Sequence, residues 1–79
     1  MDREKAIMLL MHIDNRAETK LEQVWKYGRK ECGTFYRVTC RLRHLSIETV
    51  EEIVAIAKHY EVGVCFGHEG PSEPRLELT

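Results

Sequence analysis

The chain has 79 residues, which is the length of one small domain and leaves no room for a catalytic domain with a second lobe. Hydrophobic residues make up 43% and charged residues 32% of the chain, with five Gly and two Pro, so its composition is that of a folded globular protein and not of a disordered one. The formal net charge of −1 argues against a general nucleic-acid binder. We therefore expect residues 1–79 to form a single α+β domain.

The charge is distributed unevenly along the chain. Residues 26–43 contain six Lys and Arg against one Glu, whereas residues 44–79 contain seven Glu against two Lys and Arg. An acidic helix lying beside the basic segment would cancel this difference locally, so the spatial polarity depends on which elements meet.

Two features bear on the cellular compartment. The longest nearly apolar run, residues 6–11, is far shorter than the ~20 residues that cross a bilayer, and the mixed charges at residues 2–5 do not make a signal peptide. The three cysteines are scattered and odd in number, which does not indicate a disulfide framework. We expect a cytoplasmic protein with reduced thiols, no membrane association and no cofactor.

The first 31 residues favour helix over a buried strand, because the Met- and Leu-rich segment AIMLLMHI follows the helix-starting DREK. A single helix over residues 2–31 would be about 45 Å long, which exceeds the width of so small a domain. Either it projects and pairs with a second copy, or it breaks near Asp14 and Asn15 into a helical hairpin. A heptad frame supports both forms through the apolar residues Ile7, Leu10, Ala17, Leu21 and Val24.

The segment TFYRVTCRLRH, residues 34–44, alternates between two kinds of side chain and predicts a strand with one buried face. The apolar set is Tyr36, Val38, Cys40 and Leu42, and the intervening set is Arg37, Thr39, Arg41 and Arg43. The sequence therefore predicts an arginine-rich outer face on this strand.

The second half of the chain predicts strand, helix, strand and strand in that order. LSIETVEEIVAIAKHY has apolar residues at helical spacing and Ser46 as its N-cap. VGVCF is typical of a strand, and RLELT predicts a terminal strand that buries Leu76 and Leu78 in a hairpin with residues 62–66. If the strands flanking the helix pair in parallel, the helix covers their apolar face. The fold class expected is thus α+β, a helical N-terminal region followed by a small sheet with helices packed on it.

The basic and aromatic residues around this first strand predict a binding surface. Arginines with neighbouring aromatic rings can grip the carboxylates of a protein partner, so we expect an accessory, adaptor or inhibitor subunit. The same groups could instead bind single-stranded RNA, or the arginines could be paired with Glu18, Glu22 and Glu31 of the same chain. The residues predicted to bind the partner are Trp25, Tyr27, Lys30, Phe35, Arg37, Arg41 and Arg43.

The first helical region carries a second candidate interface. Met8, Leu9 and Met11 make a helix here apolar nearly all the way round, so something must cover it. The cover is either the domain's own sheet or a partner chain, and a homodimer is one such partner.

Two further kinds of site receive little support. Cys40 with His44, and Cys65 with His68, could approach one zinc ion if the two strands were parallel neighbours, but alternation places the two cysteines on opposite faces. The histidines and Cys32 form no recognisable catalytic motif with other residues, so we expect no enzymatic activity.

Overall fold

The computed structural model describes residues 1–68, 70 and 73–79, which form an α+β domain with two helices and one antiparallel sheet. The spatial order of the strands is β1-β2-β4-β3. The elements are α1 (Arg3–Ile13), β1 (Thr19–Trp25), β2 (Thr34–Arg41), α2 (Ile47–His59), β3 (Val64–His68) and β4 (Pro74–Leu78). The expected α+β class is confirmed.

One hydrophobic core lies between the two helices and a single face of the sheet. The register pairs Val38 with Leu78 and Cys40 with Leu76, so these four side chains share that face. Helices α1 and α2 close over them with fully buried side chains from Ala6, Leu9, Ile13, Ile53 and Ala57. Because both helices contribute to the same core, neither α1 nor α2 covers the other face of the sheet.

The helix predicted for residues 2–31 is only half correct. α1 begins after Asp2, whose carboxylate accepts a hydrogen bond from the Lys5 backbone N–H, and it ends at Ile13. Residues 19–25 form strand β1 and not a second helix, so both the long helix and the helical hairpin are wrong. The heptad spacing was misleading because Leu21 and Val24, three residues apart, face opposite sides of a strand.

Strand β2 and helix α2 confirm the sequence prediction. Val38 and Cys40 are buried on the core side of β2, and the Ser46 hydroxyl caps α2 by accepting a hydrogen bond from the Thr49 backbone N–H. Glu48, Glu51 and Glu52 in the first turns of α2 are solvent-exposed.

Strands β3 and β4 form the predicted hairpin, with Val64 opposite Leu78 and Phe66 opposite Leu76. The parallel pairing of β2 with β3 that the sequence left open does not occur, because β4 lies between them and pairs antiparallel with each. An antiparallel hairpin needs only a short connection, so β4 can fold back into the gap that the crossover through α2 leaves open. None of the helices formed by the described residues is long and apolar enough to span a bilayer.

The β1–β2 hairpin extends beyond the four-stranded part of the sheet. β1 pairs with β2 from Thr34 to Cys40, but β4 reaches β2 only between Val38 and Arg41. Beyond β4, Met1 continues the same edge: its ammonium group donates to the Tyr36 carbonyl at 3.0 Å, and its carbonyl accepts from the Tyr36 N–H at 2.9 Å. The hairpin therefore projects as a two-stranded ribbon only beyond Tyr36. Its connecting segment, residues 26–33, contains two short 3₁₀ turns.

Candidate functional site

The uncovered face of the sheet carries a network of ion pairs at its centre. Arg37 of β2 lies directly opposite Glu22 of β1, and its Nη2 is 2.7 Å from the Glu22 Oε2. The Arg37 Nη1 is also 3.6 Å from the Glu77 Oε1 of β4. Arg75 joins the same two carboxylates, at 2.9 Å from Glu77 and 3.7 Å from Glu22. Two arginines and two glutamates thus neutralise each other across three strands.

This network changes the role of Arg37. Its side chain is only 23% exposed, and it is held at hydrogen-bond distance by a carboxylate of its own chain. Arg37 therefore does not stand free in water but pairs with Glu22, which is the alternative considered from the sequence. The physical reason is the register of β1, which no helical interpretation of residues 19–25 could supply.

Arg41 is the last residue of β2, at the end farthest from the connecting segment of the hairpin, and Arg43 follows two residues later. Their side chains are 50% and 63% exposed, and their contacts with Glu18 and Glu73 are 3.5 to 3.8 Å long. Such exposed pairs, longer than direct charged hydrogen bonds, contribute little to stability. Two shallow depressions of about 120 and 270 Å³ adjoin here and share Glu18 and Arg41 in their walls.

The projecting end of the hairpin gathers the other predicted basic and aromatic residues. Trp25 is 53% and Tyr27 91% exposed, and both stand beside exposed cationic side chains. These cationic side chains belong to Lys26, Arg29 and Lys30. Among the described residues, none of the three forms an ion pair within 4.0 Å. We call this surface the hairpin tip, and it comprises Trp25, Lys26, Tyr27, Arg29 and Lys30.

The backbone of the hairpin tip is closed by its own hydrogen bonds. The Lys26 N–H donates to the Gly33 carbonyl at 2.9 Å, and the Arg29 N–H donates to the Lys26 carbonyl at 3.0 Å. Tyr27 and Gly28 both have positive φ, at 55° and 68°. That conformation is ordinary for glycine and unfavourable for tyrosine. The turn therefore presents an exposed aromatic ring at a conformational cost.

Phe35 and the methionines of α1 occupy different environments. Phe35 is half-buried opposite Val24 on the uncovered sheet face. Met8 and Met11 are 53% and 71% exposed, whereas Leu9 is fully buried in the core. Leu9 must therefore be removed from the interface proposed for α1, because α1 turns that side chain toward the sheet.

The four residues considered for zinc are not brought together. Cys40 is buried on the core face of β2, while Cys65 is exposed on the opposite face of β3, with β4 between the two strands. No group of three or more metal-binding side chains occurs among the residues that the structure describes. Both histidines are exposed: His44 lies three residues beyond the end of β2, and His68 is the last residue of β3. Burial raises the pKa of the Cys40 thiol to about 11, which keeps it protonated at neutral pH.

Two apolar residues outside the predicted interfaces are also exposed, namely Ile47 and Phe66, the latter at 74%. Ile47 belongs to the apolar residues at helical spacing in α2, yet its side chain is 77% exposed. It is the first residue of the helix, where the chain is still arriving from the sheet. Its position immediately after the Ser46 cap could have indicated this exposure, because the first turn of the helix extends past the edge of the core.

Comparison of the chain with protein-family models, with curated proteins and with solved structures returns no match.

Proposed function

We propose that the protein is a small binding module that docks its hairpin tip on an acidic surface of a partner protein. The observation that carries this proposal is the exposure of two aromatic side chains, Trp25 and Tyr27, beside Lys26, Arg29 and Lys30 on one projecting turn. The proposal moves the binding surface from the arginine-rich sheet face to the end of the hairpin.

The chemistry of the hairpin tip suits protein recognition. Trp, Tyr and Arg are the residue types that most often dominate the free energy of protein–protein binding, because they combine a large contact area with a polar end. The Lys and Arg side chains would steer the approach of an acidic partner and favour one orientation of the bound partner over others. The charges of the network around Arg37 are neutralised within the chain. The network therefore serves to hold β1 and β2 together and not to bind a partner.

An acidic protein suits the chain better than a nucleic acid does. The whole chain carries a net charge of −1, and Glu31 lies within the connecting segment beside the hairpin tip. Nucleic-acid binding gains most of its affinity from many phosphate contacts along a continuous basic surface. The neutralised centre of the sheet interrupts any such surface here.

Single-stranded RNA is the second candidate, and one observation favours it. Tyr27 at 91% and Trp25 at 53% exposure could each stack on a base, with the adjacent cations near phosphates. Such binding would weaken steeply with added salt, because phosphate contacts release condensed counterions.

Fluorescence anisotropy of two labelled probes tests the proposal: a peptide of alternating glutamate and leucine, and an oligouridylate. We compare the natural protein with the double variant Lys26→Glu, Lys30→Glu. The matched control is Arg3→Glu with Lys58→Glu, which changes the net charge equally at two exposed positions outside the hairpin tip. Circular dichroism establishes that each variant is folded.

The proposal expects the acidic peptide to bind, and the hairpin-tip variant to lose at least about tenfold in affinity while the control keeps it. Equal losses in the two variants would mean that only net charge matters, and would contradict a specific surface. Binding of the oligouridylate in preference to the peptide would favour RNA. No binding of either probe would contradict both candidates.

A further inference from the structure

The start of helix α2 forms a surface whose chemistry mirrors that of the hairpin tip. Ile47 is 77% exposed, and Glu48 and Glu51 are exposed beside it on the solvent side of the first turns. The next glutamate, Glu52, is held by Arg16 at 2.8 Å and so is already compensated. We call the group Ile47, Glu48 and Glu51 the acidic helix start.

The hairpin tip and the acidic helix start lie at opposite ends of the molecule. β2 runs from Thr34, next to the hairpin tip, to Arg41, and α2 begins only after the chain has left that far end. Eight strand residues place the two ends about 24 Å apart at ~3.4 Å per residue. The longest dimension of the domain is 39 Å. The two surfaces therefore cannot meet within one chain.

The two surfaces are complementary in both charge and polarity. The hairpin tip combines the exposed aromatic residues Trp25 and Tyr27 with cations close by in the chain, and the acidic helix start combines the exposed Ile47 with two exposed glutamates of the same helix turns. Opposite charges beside exposed apolar residues give attraction together with a preferred orientation.

We infer that the acidic surface recognised by the hairpin tip is the acidic helix start of a second copy of this chain. This inference rests on the proposed function, since it identifies the partner of the same surface. Two copies placed side by side in opposite directions bring each hairpin tip to the other copy's acidic helix start. A two-fold axis then satisfies both contacts and closes the assembly as a dimer.

Charge reversal tests this arrangement in a way that a purely structural effect cannot imitate. The tip-reversed variant is Lys26→Glu, Lys30→Glu, and the helix-reversed variant is Glu48→Lys, Glu51→Lys. In either variant alone, both contacts of the dimer join like charges. In a mixture of the two, an acidic tip meets a basic helix and a basic tip meets an acidic helix, so both contacts of a heterodimer are attractive.

The experiment measures mass by light scattering over a range of protein concentrations at low and high salt. We expect the natural chain to dimerise, more weakly at high salt because exposed charges are screened. Each reversed variant should lose at least about tenfold in association constant, and their equimolar mixture should recover it. Circular dichroism checks folding, and Glu48→Gln, Glu51→Gln replaces the helix-reversed variant if lysine unfolds α2; it should weaken dimerisation less than full reversal.

Three results would overturn the inference. A natural chain that stays monomeric while the acidic peptide binds its hairpin tip leaves the proposed function standing and removes the second copy as the partner. A mixture of folded reversed variants that stays monomeric excludes this pairing of surfaces. A dimer that survives both reversals must use another face, such as the exposed methionines of α1.

Discussion

Arg37 and Glu22 face each other directly across strands β1 and β2, and the Arg37 Nε–H donates to the Glu22 Oε2 at 2.8 Å. The Glu22 side chain is 17% exposed, so most of its water has been replaced by guanidinium groups from Arg37 and Arg75. Such a half-buried carboxylate depends on its partners, because an unpaired charge in that position is poorly solvated. The pair therefore fixes the register of the hairpin as well as neutralising the sheet face.

We predict that Arg37→Ala lowers the free energy of unfolding by about 1–2 kcal/mol, since it leaves the half-buried Glu22 and Glu77 to share Arg75, with only the exposed Lys20 also near Glu22, at 3.9 Å. Urea denaturation measures the change. Arg43→Ala is the matched control, because its guanidinium is 63% exposed and pairs with Glu73 only at 3.8 Å; its cost should stay below about 0.5 kcal/mol.

A double-mutant cycle separates the Arg37–Glu22 pair from other losses. If Glu22→Gln and Arg37→Ala act through the same contact, the double variant is less destabilised than the sum of the single variants. Additive effects would show that the two side chains are energetically independent although they lie within hydrogen-bond distance.

Local patterns in the sequence were sufficient to predict α2, β2 and the β3–β4 hairpin. Each of these elements has an unambiguous apolar period and a clear boundary: Ser46 caps α2, and Tyr36, Val38 and Cys40 alternate along β2. Where periodicity, propensity and capping agree, local sequence is enough to identify the element.

The sequence could not reveal β1, and it could not decide between an Arg37 that is free and one that is paired with Glu22, for the same reason. Leu21 and Val24 fit a helical stripe, while the β-forming residues Thr19 and Trp25 are too few to override it. Once residues 19–25 are taken as helix, Glu22 has no defined cross-strand neighbour. The partner of an arginine on a sheet is set by register between distant segments, which local periodicity does not contain.

Tyr27 should contribute favourably to the free energy of binding but not to the stability of the fold. Its φ of 55° is unfavourable for an aromatic residue, and its side chain is 91% exposed and so buries little area. Asparagine adopts this conformation more readily than tyrosine does. We predict that Tyr27→Asn raises the free energy of unfolding by up to about 1 kcal/mol and weakens binding of the acidic peptide.

Thermal unfolding and peptide anisotropy on the same samples check this prediction. Tyr27→Phe is the control, since it keeps the ring and the strain and should leave both quantities close to those of the natural protein. A loss of stability in Tyr27→Asn would mean that the ring packs on the turn and that its exposure is not what the binding surface uses.

The α1 side chains predicted as one interface should separate into two classes. Leu9 is fully buried, and Leu9→Ala should cost about 2–4 kcal/mol because it removes core contacts and leaves a cavity. Met11 is 71% exposed, and Met11→Ala should cost less than about 0.5 kcal/mol in the monomer. Urea denaturation at a protein concentration below any self-association compares the two, and equal costs would contradict the assigned orientation of α1.

The three thiols should differ in accessibility. Cys32 and Cys65 are exposed, whereas Cys40 is fully buried in the core. At pH 8 a thiol reagent should modify two cysteines rapidly in the native protein and all three in denaturant, with mass spectrometry identifying the slow one as Cys40. Rapid native modification of Cys40 would show that the core opens easily around β2.

Cys40 should also make stability fall at alkaline pH. Burial raises the pKa of its thiol from 9.0 to about 11, so between these values the folded chain keeps a proton that the unfolded chain releases. The stabilisation is complete below pH 9.0 and is lost as the pH rises toward 11, at a slope of up to about 1.4 kcal/mol per pH unit. Urea unfolding from pH 8 to 11 measures this slope, and Cys40→Ala, which has no thiol to titrate, should show a shallower decline even though its cavity lowers stability at every pH. Identical slopes in the two proteins would mean that other groups cause the alkaline loss of stability. The pKa of the Cys40 thiol would then be the same in the folded and the unfolded chain.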